Sequence, residues 1–261
     1  MSISPESVAL ITGSTSGIGK AIAQKLGASG ASVYVCARKQ AGVDATVQQL
    51  VESGVRAEGS VCDVTSREEI RALVGNAVSV FGRIDILVNN AGRSGGGVTV
   101  DVLDETWFDV INTNLNSVFL MTKEVLTKGK MLESSSGRII NIASTGGKQG
   151  VIWGAPYSAA KHGVVGFSKS LGLELAKTGI TVNAVCPGFV ETQMAEGVRQ
   201  HYSSVWNVSV EEAFDRVTAR VPIGRYVEPD EVAAMVAYLA GNEAAAVTAQ
   251  AINICGGLGN Y

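Results

Sequence analysis

The chain carries no excess of positive charge, no closely spaced cysteines and almost no histidine, and each shortage removes a class of function. Twenty-one Lys and Arg face 24 Asp and Glu, a net charge of −3. That balance gives no electrostatic footing on nucleic acid or on an anionic membrane surface. Cys36, Cys62, Cys186 and Cys255 lie far apart and form no CxxC or metal-ligand spacing. Each sits in or beside an apolar run, so buried free thiols are expected, and a cytoplasmic location with them. Of the two histidines, His162 follows a lysine on a helical pattern and points about 100° away from it. His201 lies in a long connection and is expected in solvent, so no metal site is predicted. No apolar stretch is long enough to span a bilayer. The opening MSISPESVALITG lacks a basic start followed by an apolar core, so no signal peptide is expected. There are only five prolines, with no Pro/Gly/Ser-rich linker and no internal repeat. One domain over residues 1–261 is expected.

What remains is an apolar chain, 46% hydrophobic and 17% charged, which easily supplies a large core. Short β-branched runs alternate with longer helical patterns. Val8–Thr12, Ser32–Ala37, Arg56–Cys62, Ile84–Asn90, Arg138–Ser144, Ile180–Cys186 and Ala251–Cys255 read as strands. Helical patterns cover Gly17–Ser29, Val43–Ser53, Ser66–Phe81, Asp104–Lys128, Pro156–Lys177 and Pro229–Ala240. Several strands are apolar on both faces, as a parallel sheet covered on both sides requires. The rhythm predicts a Rossmann-type, doubly wound α/β sheet of seven parallel strands. Pro187–Arg220 breaks it with a long, aromatic-bearing stretch that should hold one or two helices. A connection of that length inside a compact domain usually carries function.

The first strand runs into Thr12-Gly13-Ser14-Thr15-Ser16-Gly17-Ile18-Gly19. Glycines there let the backbone approach a pyrophosphate at the N-terminus of the next helix. The spacing departs from G-x-G-x-x-G, but its place between first strand and first helix predicts a dinucleotide site. A ribose 2′-hydroxyl calls for an acid at the end of the second strand. None occurs from Gly19 to Val43; Arg38 and Lys39 stand there instead. Arg38 can grip a 2′-phosphate with paired N–H donors, so NADPH/NADP+ is the expected cofactor. Asp63 and Val64, beyond the third strand, are placed for the adenine, and Asn90, Ala91 and Gly92, beyond the fourth, for the riboses.

Tyr157 and Lys161 are four apart and share one helix face. A free phenol has a pKa near about 10. An adjacent ammonium would lower it and make Tyr157 an acid and base usable near neutrality. Ser144, expected at the end of the fifth strand, can donate to a carbonyl oxygen as charge develops there. Asn114 lies in a helical pattern with Asn112 and Asn116, all poor helix formers. It either bonds backbone or water on a path to Lys161, or is merely tolerated in its helix. Composition does not separate the two.

TGxxxGxG, NNAG, Asn114, Ser144, YxxxK and Cys186-Pro187-Gly188 together resemble the short-chain dehydrogenase/reductases, over the whole chain. The resemblance implies a catalytic set of Asn114, Ser144, Tyr157 and Lys161 that interconverts carbonyl and alcohol. It implies that Tyr157 and Lys161 also touch the cofactor, with Pro187, Gly188, Val190 and Thr192 near the nicotinamide, and a homotetramer. VYVCAR, NIASTGGKQGV, YSAAKHGVVGF, ITVNAVCPGFVET and TARVPIGRY are further similar to the actinorhodin-type ketoreductases of aromatic polyketide synthesis. That likeness implies NADPH reduction of one ketone, at C9, on a poly-β-keto chain held by an acyl carrier protein. The chain departs from the actinorhodin enzyme at Ser94, where that enzyme has Pro, and at Trp153, where it has His.

The expected substrate pocket is bordered by Ser94, Gly95, Gly96, Thr145, Gln149, Val151 and Trp153. A lid at about residues 188–220 adds Phe189, Met194, Tyr202 and Trp206. A 3-oxoacyl-[acyl-carrier-protein] reductase of fatty acid synthesis would share every reacting residue and differ in lid and pocket. The aromatic lid favours the bulkier polyketide. A regulator that only senses NADPH would be expected to have lost Tyr157 or Lys161, and both are present.

Overall fold

A computed structural model describes residues 3–259 and 261. The parallel strands are β1 (Val8–Thr12), β2 (Ser32–Ala37), β3 (Ala57–Val61), β4 (Ile86–Asn89), β5 (Gly137–Ile142), β6 (Ile180–Pro187) and β7 (Ala251–Ile254). They form one sheet in the order β3-β2-β1-β4-β5-β6-β7. Alternate residues feed two cores. On β1, Ala9 and Ile11 pack to one side and Leu10 to the other. The first face is covered by α1 (Gly17–Ala28), α2 (Gln40–Glu52) and α9 (Pro229–Ala240). The second is covered by α3 (Arg67–Phe81), α5 (Ser117–Thr127) and α6 (Ala155–Glu174). Strand order reverses between β1 and β4, which opens a crevice at their carboxyl ends, where open α/β sheets bind ligands.

The predicted elements recur with shifted ends, and two departures matter. The pattern Asp104–Lys128 reads as one helix because its buried positions keep a helical period, yet it forms α4 (Asp104–Ile111), a π turn over Asn112–Asn116, and α5. The wide turn lets Asn114 face inward, fully buried, and hold the backbone of Arg93. Ser144 does not end β5. The strand stops at Ile142 and Ser144 caps a short 3₁₀ turn, Thr145–Gly147, its Oγ accepting the Gly146 N–H at 3.0 Å. Between β6 and β7 the long connection holds two helices before α9, namely α7 (Gln193–Trp206) and α8 (Val210–Thr218).

Candidate active site

At the crevice, Gly13 has a φ of +63°. A side chain at Gly19 would meet the Gly13 carbonyl oxygen at 2.3 Å and Asn90 Nδ2 at 2.4 Å, so the β1–α1 turn closes only around a glycine. The loop is tied to the end of β4. Thr12 Oγ1 accepts the N–H groups of Asn90 (3.0 Å) and Ala91 (2.9 Å), and Asn90 Nδ2 donates to the carbonyls of Thr12 and Gly13. Two residues expected at the cofactor thus turn their side chains inward. Thr12 serves Asn90 and Ala91, and buried Ser14 donates to the Ile11 carbonyl and accepts the Cys36 N–H. Both hold the loop from within, because the β1 end packs between β2 and β4 and leaves their hydroxyls facing protein. Gly17 lies against Thr192, whose Cγ2 would be 3.2 Å from an added methyl. The cradle left by Gly13, Ser16, Gly17 and Ile18 at the start of α1 suits a pyrophosphate.

Arg38 and Lys39 are exposed just past β2. Asp63 is half-buried, and its Oδ1 accepts both the N–H and the hydroxyl of Thr65 (2.9 and 2.7 Å). Those bonds, with Arg38 acting from farther off, hold its carboxyl below the ordinary carboxylate value. An acid thus does stand near Arg38 in space, arriving from the neighbouring strand end, but the two make no ion pair among the described residues. Val64 is buried behind Asp63.

Ser144, Tyr157 and Lys161 converge on the other side of the crevice. Pro156 opens α6, and a buried chain fixes that helix on the sheet. Asn89 Nδ2 donates to Asn141 Oδ1 at 2.8 Å, and Asn141 Nδ2 to Ser168 Oγ at 2.8 Å. The Ser144 hydroxyl is hydrogen-bonded to the Tyr157 hydroxyl. Lys161 is buried, its Nζ 5.8 Å from the Tyr157 ring centre and donating to the Ile142 carbonyl at 2.7 Å. The expected downward pull of Lys161 on the phenol is not what the site shows. Burial pushes Tyr157 above its ordinary value, with the Ser144 bond working against it. The reason is geometric, since the ammonium is turned to a backbone carbonyl and the phenolate would lack water. Burial also lowers Lys161 itself, to about 8.

The residues expected around the substrate lie as follows. Gly96 packs on the turn at Trp153, where an added Cβ would lie 2.0 Å from the Trp153 carbonyl oxygen. Gly97 N–H donates to that oxygen at 2.7 Å. Trp153 has a φ of +58°, a conformation costly for a bulky residue, and its ring meets His201 of α7 edge-on at 6.5 Å. Ser94 is exposed and Gly95 abuts Val110. Thr145 is buried, Gln149 and Val151 half-buried. In the long connection, Phe189 stacks on Tyr226 (5.4 Å) and buried Tyr202 on Trp206 (4.6 Å). Tyr202 therefore belongs to the connection's own core rather than to an open wall, because α7 and α8 need an apolar centre. Met194 is exposed on α7. Pro187 ends β6, Val190 bridges to Val227, and Thr192 caps α7 by accepting the Ala195 N–H. Sequence reasoning missed Tyr226 and Arg199, the latter paired twice with Glu191 and lying over the rings of Phe214 and Tyr226. They carry no local pattern to find them by.

Comparison with known proteins agrees with this geometry. The short chain dehydrogenase family model matches residues 7–203. A protein of Streptomyces violaceoruber named as ketoacyl reductase 1 of the granaticin polyketide synthase is 66% identical over 254 residues, 97% of this chain and 93% of that one. A crystal structure of F189W actinorhodin polyketide ketoreductase with NADPH superposes with a TM-score of 0.96 at 65% identity, covering 100% of both chains. A 3-oxoacyl-[acyl-carrier-protein] reductase of Haemophilus influenzae is more distant, 42% identical over 96% of this chain and 97% of its own. The chain belongs to the short-chain dehydrogenase family, an oxidoreductase of the carbonyl/alcohol pair that works with a nicotinamide cofactor.

Proposed function

We propose that the protein is an NADPH-dependent ketoreductase that reduces one ketone, at C9, of a poly-β-keto chain borne by an acyl carrier protein. The observation that carries the reading is the convergence of the Ser144 and Tyr157 hydroxyls beside the glycine cradle, above buried Lys161. When bound, NADPH supplies the hydride. Ser144, whose oxygen accepts the Gly146 N–H, turns its hydroxyl proton towards Tyr157 and can donate it to a ketone oxygen that enters between the two. Tyr157 gives that oxygen its proton, and its raised pKa keeps it in the acid form that reduction requires. Lys161, tied to the Ile142 carbonyl, holds the nicotinamide ribose and carries a positive charge 5.8 Å from the Tyr157 ring centre. Asn114 holds the Ala91–Arg93 loop at the reacting end of the cradle. Arg38, exposed beyond β2 and without an ion pair among the described residues, takes the 2′-phosphate, with Thr15, Lys39, Asp63 and Val64 about the adenosine.

The stretch 188–220 serves as a lid, held in shape by its own aromatic core, that meets the Trp153 turn and so borders a space for a bulky chain. The carrier delivers its chain to the mouth between this lid and the Ser94–Gly97 loop, where Arg220 is exposed while Arg93 is already paired with Asp109. A homotetramer, which the family resemblance implies, would find apolar side chains left outward on three helices. Trp107 and Phe108 of α4, Phe119 of α5 and Leu173 of α6 are all exposed, Phe108 at 61% and Leu173 at 72%. No described helix is long and apolar enough to cross a membrane. A cytoplasmic setting fits the four unoxidised thiols.

The test is turnover of a bicyclic ketone such as trans-1-decalone with NADPH and with NADH, then of a carrier-bound polyketide. Reduction with NADPH and weak or absent reduction with NADH is expected. A protein that binds NADPH yet reduces neither ketone would overturn the reading.

A further inference from the structure

The opposite, amino edge of the sheet holds a buried cation that has no counter-ion among the described residues. Arg138 is the second residue of β5 and only 6% exposed. A guanidinium stays charged inside proteins and offers five N–H donors. Its Nη1 donates to the carbonyls of Gly137 (2.9 Å) and Gly179 (3.4 Å), while its buried Nε has no partner. The neighbouring Asp85 is committed elsewhere, accepting from Arg83 Nε at 2.8 Å and from the Val8 N–H at 2.9 Å. Among the described residues no carboxylate lies within ion-pair reach of Arg138. Buried charges are costly enough that proteins almost always pair them. Burial also draws this guanidinium below its ordinary pKa.

Beside Arg138 lies a cavity of about 200 Å³. Its wall includes Arg138, Arg83, Asp85 and the consecutive residues Ser134, Ser135 and Ser136. Two cations against one carboxylate leave it positive. A water's share of liquid volume is about 30 Å³, so the space admits a tetrahedral anion together with several waters. Guanidinium forks and hydroxyl donors are the groups that bind phosphate oxygens.

We propose that this cavity is a phosphate-binding site, with Arg138 as its charged anchor and the Ser134–Ser136 hydroxyls as donors. It is separate from the cofactor's own phosphate contacts, which lie at the carboxyl edge of the same sheet. Its ligand is a phosphate group, either free or at the end of a small phosphate ester.

The experiment uses the full chain saturated with NADP+, so that the glycine cradle and Arg38 are already filled. Inorganic phosphate and glycerol 3-phosphate are titrated by calorimetry and by thermal unfolding at constant ionic strength, with chloride as control. The expected result is saturable binding and a rise in Tm with phosphate that chloride does not give. A response to phosphate alone assigns the free ion, and a stronger response to glycerol 3-phosphate assigns the ester. Arg138→Met should lose both signals. Should Arg138→Met not fold, Ser136→Asp, which places a carboxylate in the cavity, should fold and lose them too. Absence of saturable binding to the wild-type protein overturns the proposal, and so does binding that survives in the substituted protein.

Discussion

At the scale of the residue, the site makes three checks available. Tyr157→Phe keeps the ring and removes the acid. Ketone reduction should fall at least about 10²-fold, the usual scale of general acid catalysis, while NADPH binding measured by fluorescence persists. Wild-type turnover in that variant would remove Tyr157 from the mechanism. Arg38→Asp should raise the KM for NADPH and narrow or invert its advantage over NADH in steady-state assays. Unchanged discrimination would pass the 2′-phosphate to Lys39 or Thr15. The third check is pH. Lys161 is charged below about 8 in the folded chain, against 10.5 when free. Reduction should therefore hold steady below about pH 8 and decline above it as the ammonium is lost. Stability should move the other way. The unfolded chain binds the extra proton between about 8 and 10.5, so this group's penalty on folding shrinks as pH climbs through that window. Paired rate and unfolding profiles, with Lys161→Met as control, test both signs. That Tyr157 and Lys161 share one face of α6 was legible because their spacing is written in the chain. The direction of the Tyr157 shift was not, since it depends on burial and on where the Lys161 ammonium points.

At the scale of the element, strands and most helices could be read because apolar runs of two lengths alternate with few interruptions. The π turn at Asn112–Asn116 was hidden. Val110, Asn114, Val118 and Met121 keep an ordinary helical period, and only the three asparagines hint at a break. Tyr202 looked like pocket lining because an aromatic residue in a long connection reads the same whether it faces a ligand or a neighbouring helix. The contact between the Ser94–Gly97 loop and the Trp153 turn is what a linear reading could only anticipate as proximity. Gly96 rests on the Trp153 backbone, Gly97 bonds to it, and the indole reaches His201 in α7. Ser94→Pro would fix φ near about −65° on one side of that contact, and Trp153→His would loosen the other. An energy difference between two ketone poses of about 1.4 kcal/mol changes a product ratio tenfold. Chiral analysis of the alcohols from one bicyclic ketone should show the enantiomer ratio altered in each variant and most in the double. Identical ratios in all four proteins would free both positions of any stereochemical role.

At the scale of the whole molecule, the exposed Trp107, Phe108, Phe119 and Leu173 are the side chains expected to meet another subunit. Phe119 also meets Phe167 edge-on, so its ring is already packed from beneath. Phe108→Glu combined with Leu173→Glu should shift the sedimentation profile towards smaller species at a given concentration. An unchanged profile would place the interface elsewhere. A different property of the whole surface follows from the four thiols, every one of which is buried. Burial raises Cys186, and Cys62 is raised chiefly by its bond with Cys36, so neither readily supplies the thiolate that reacts. To a maleimide or a disulfide reagent the native protein should look as though it had no cysteine at all, with all four counted only after denaturation. A single cysteine placed on an exposed position of α7, such as Gln193→Cys, would then be the sole handle on the molecule. A dye fixed there would report whether α7 moves relative to Trp153 during turnover, with every native thiol left in place.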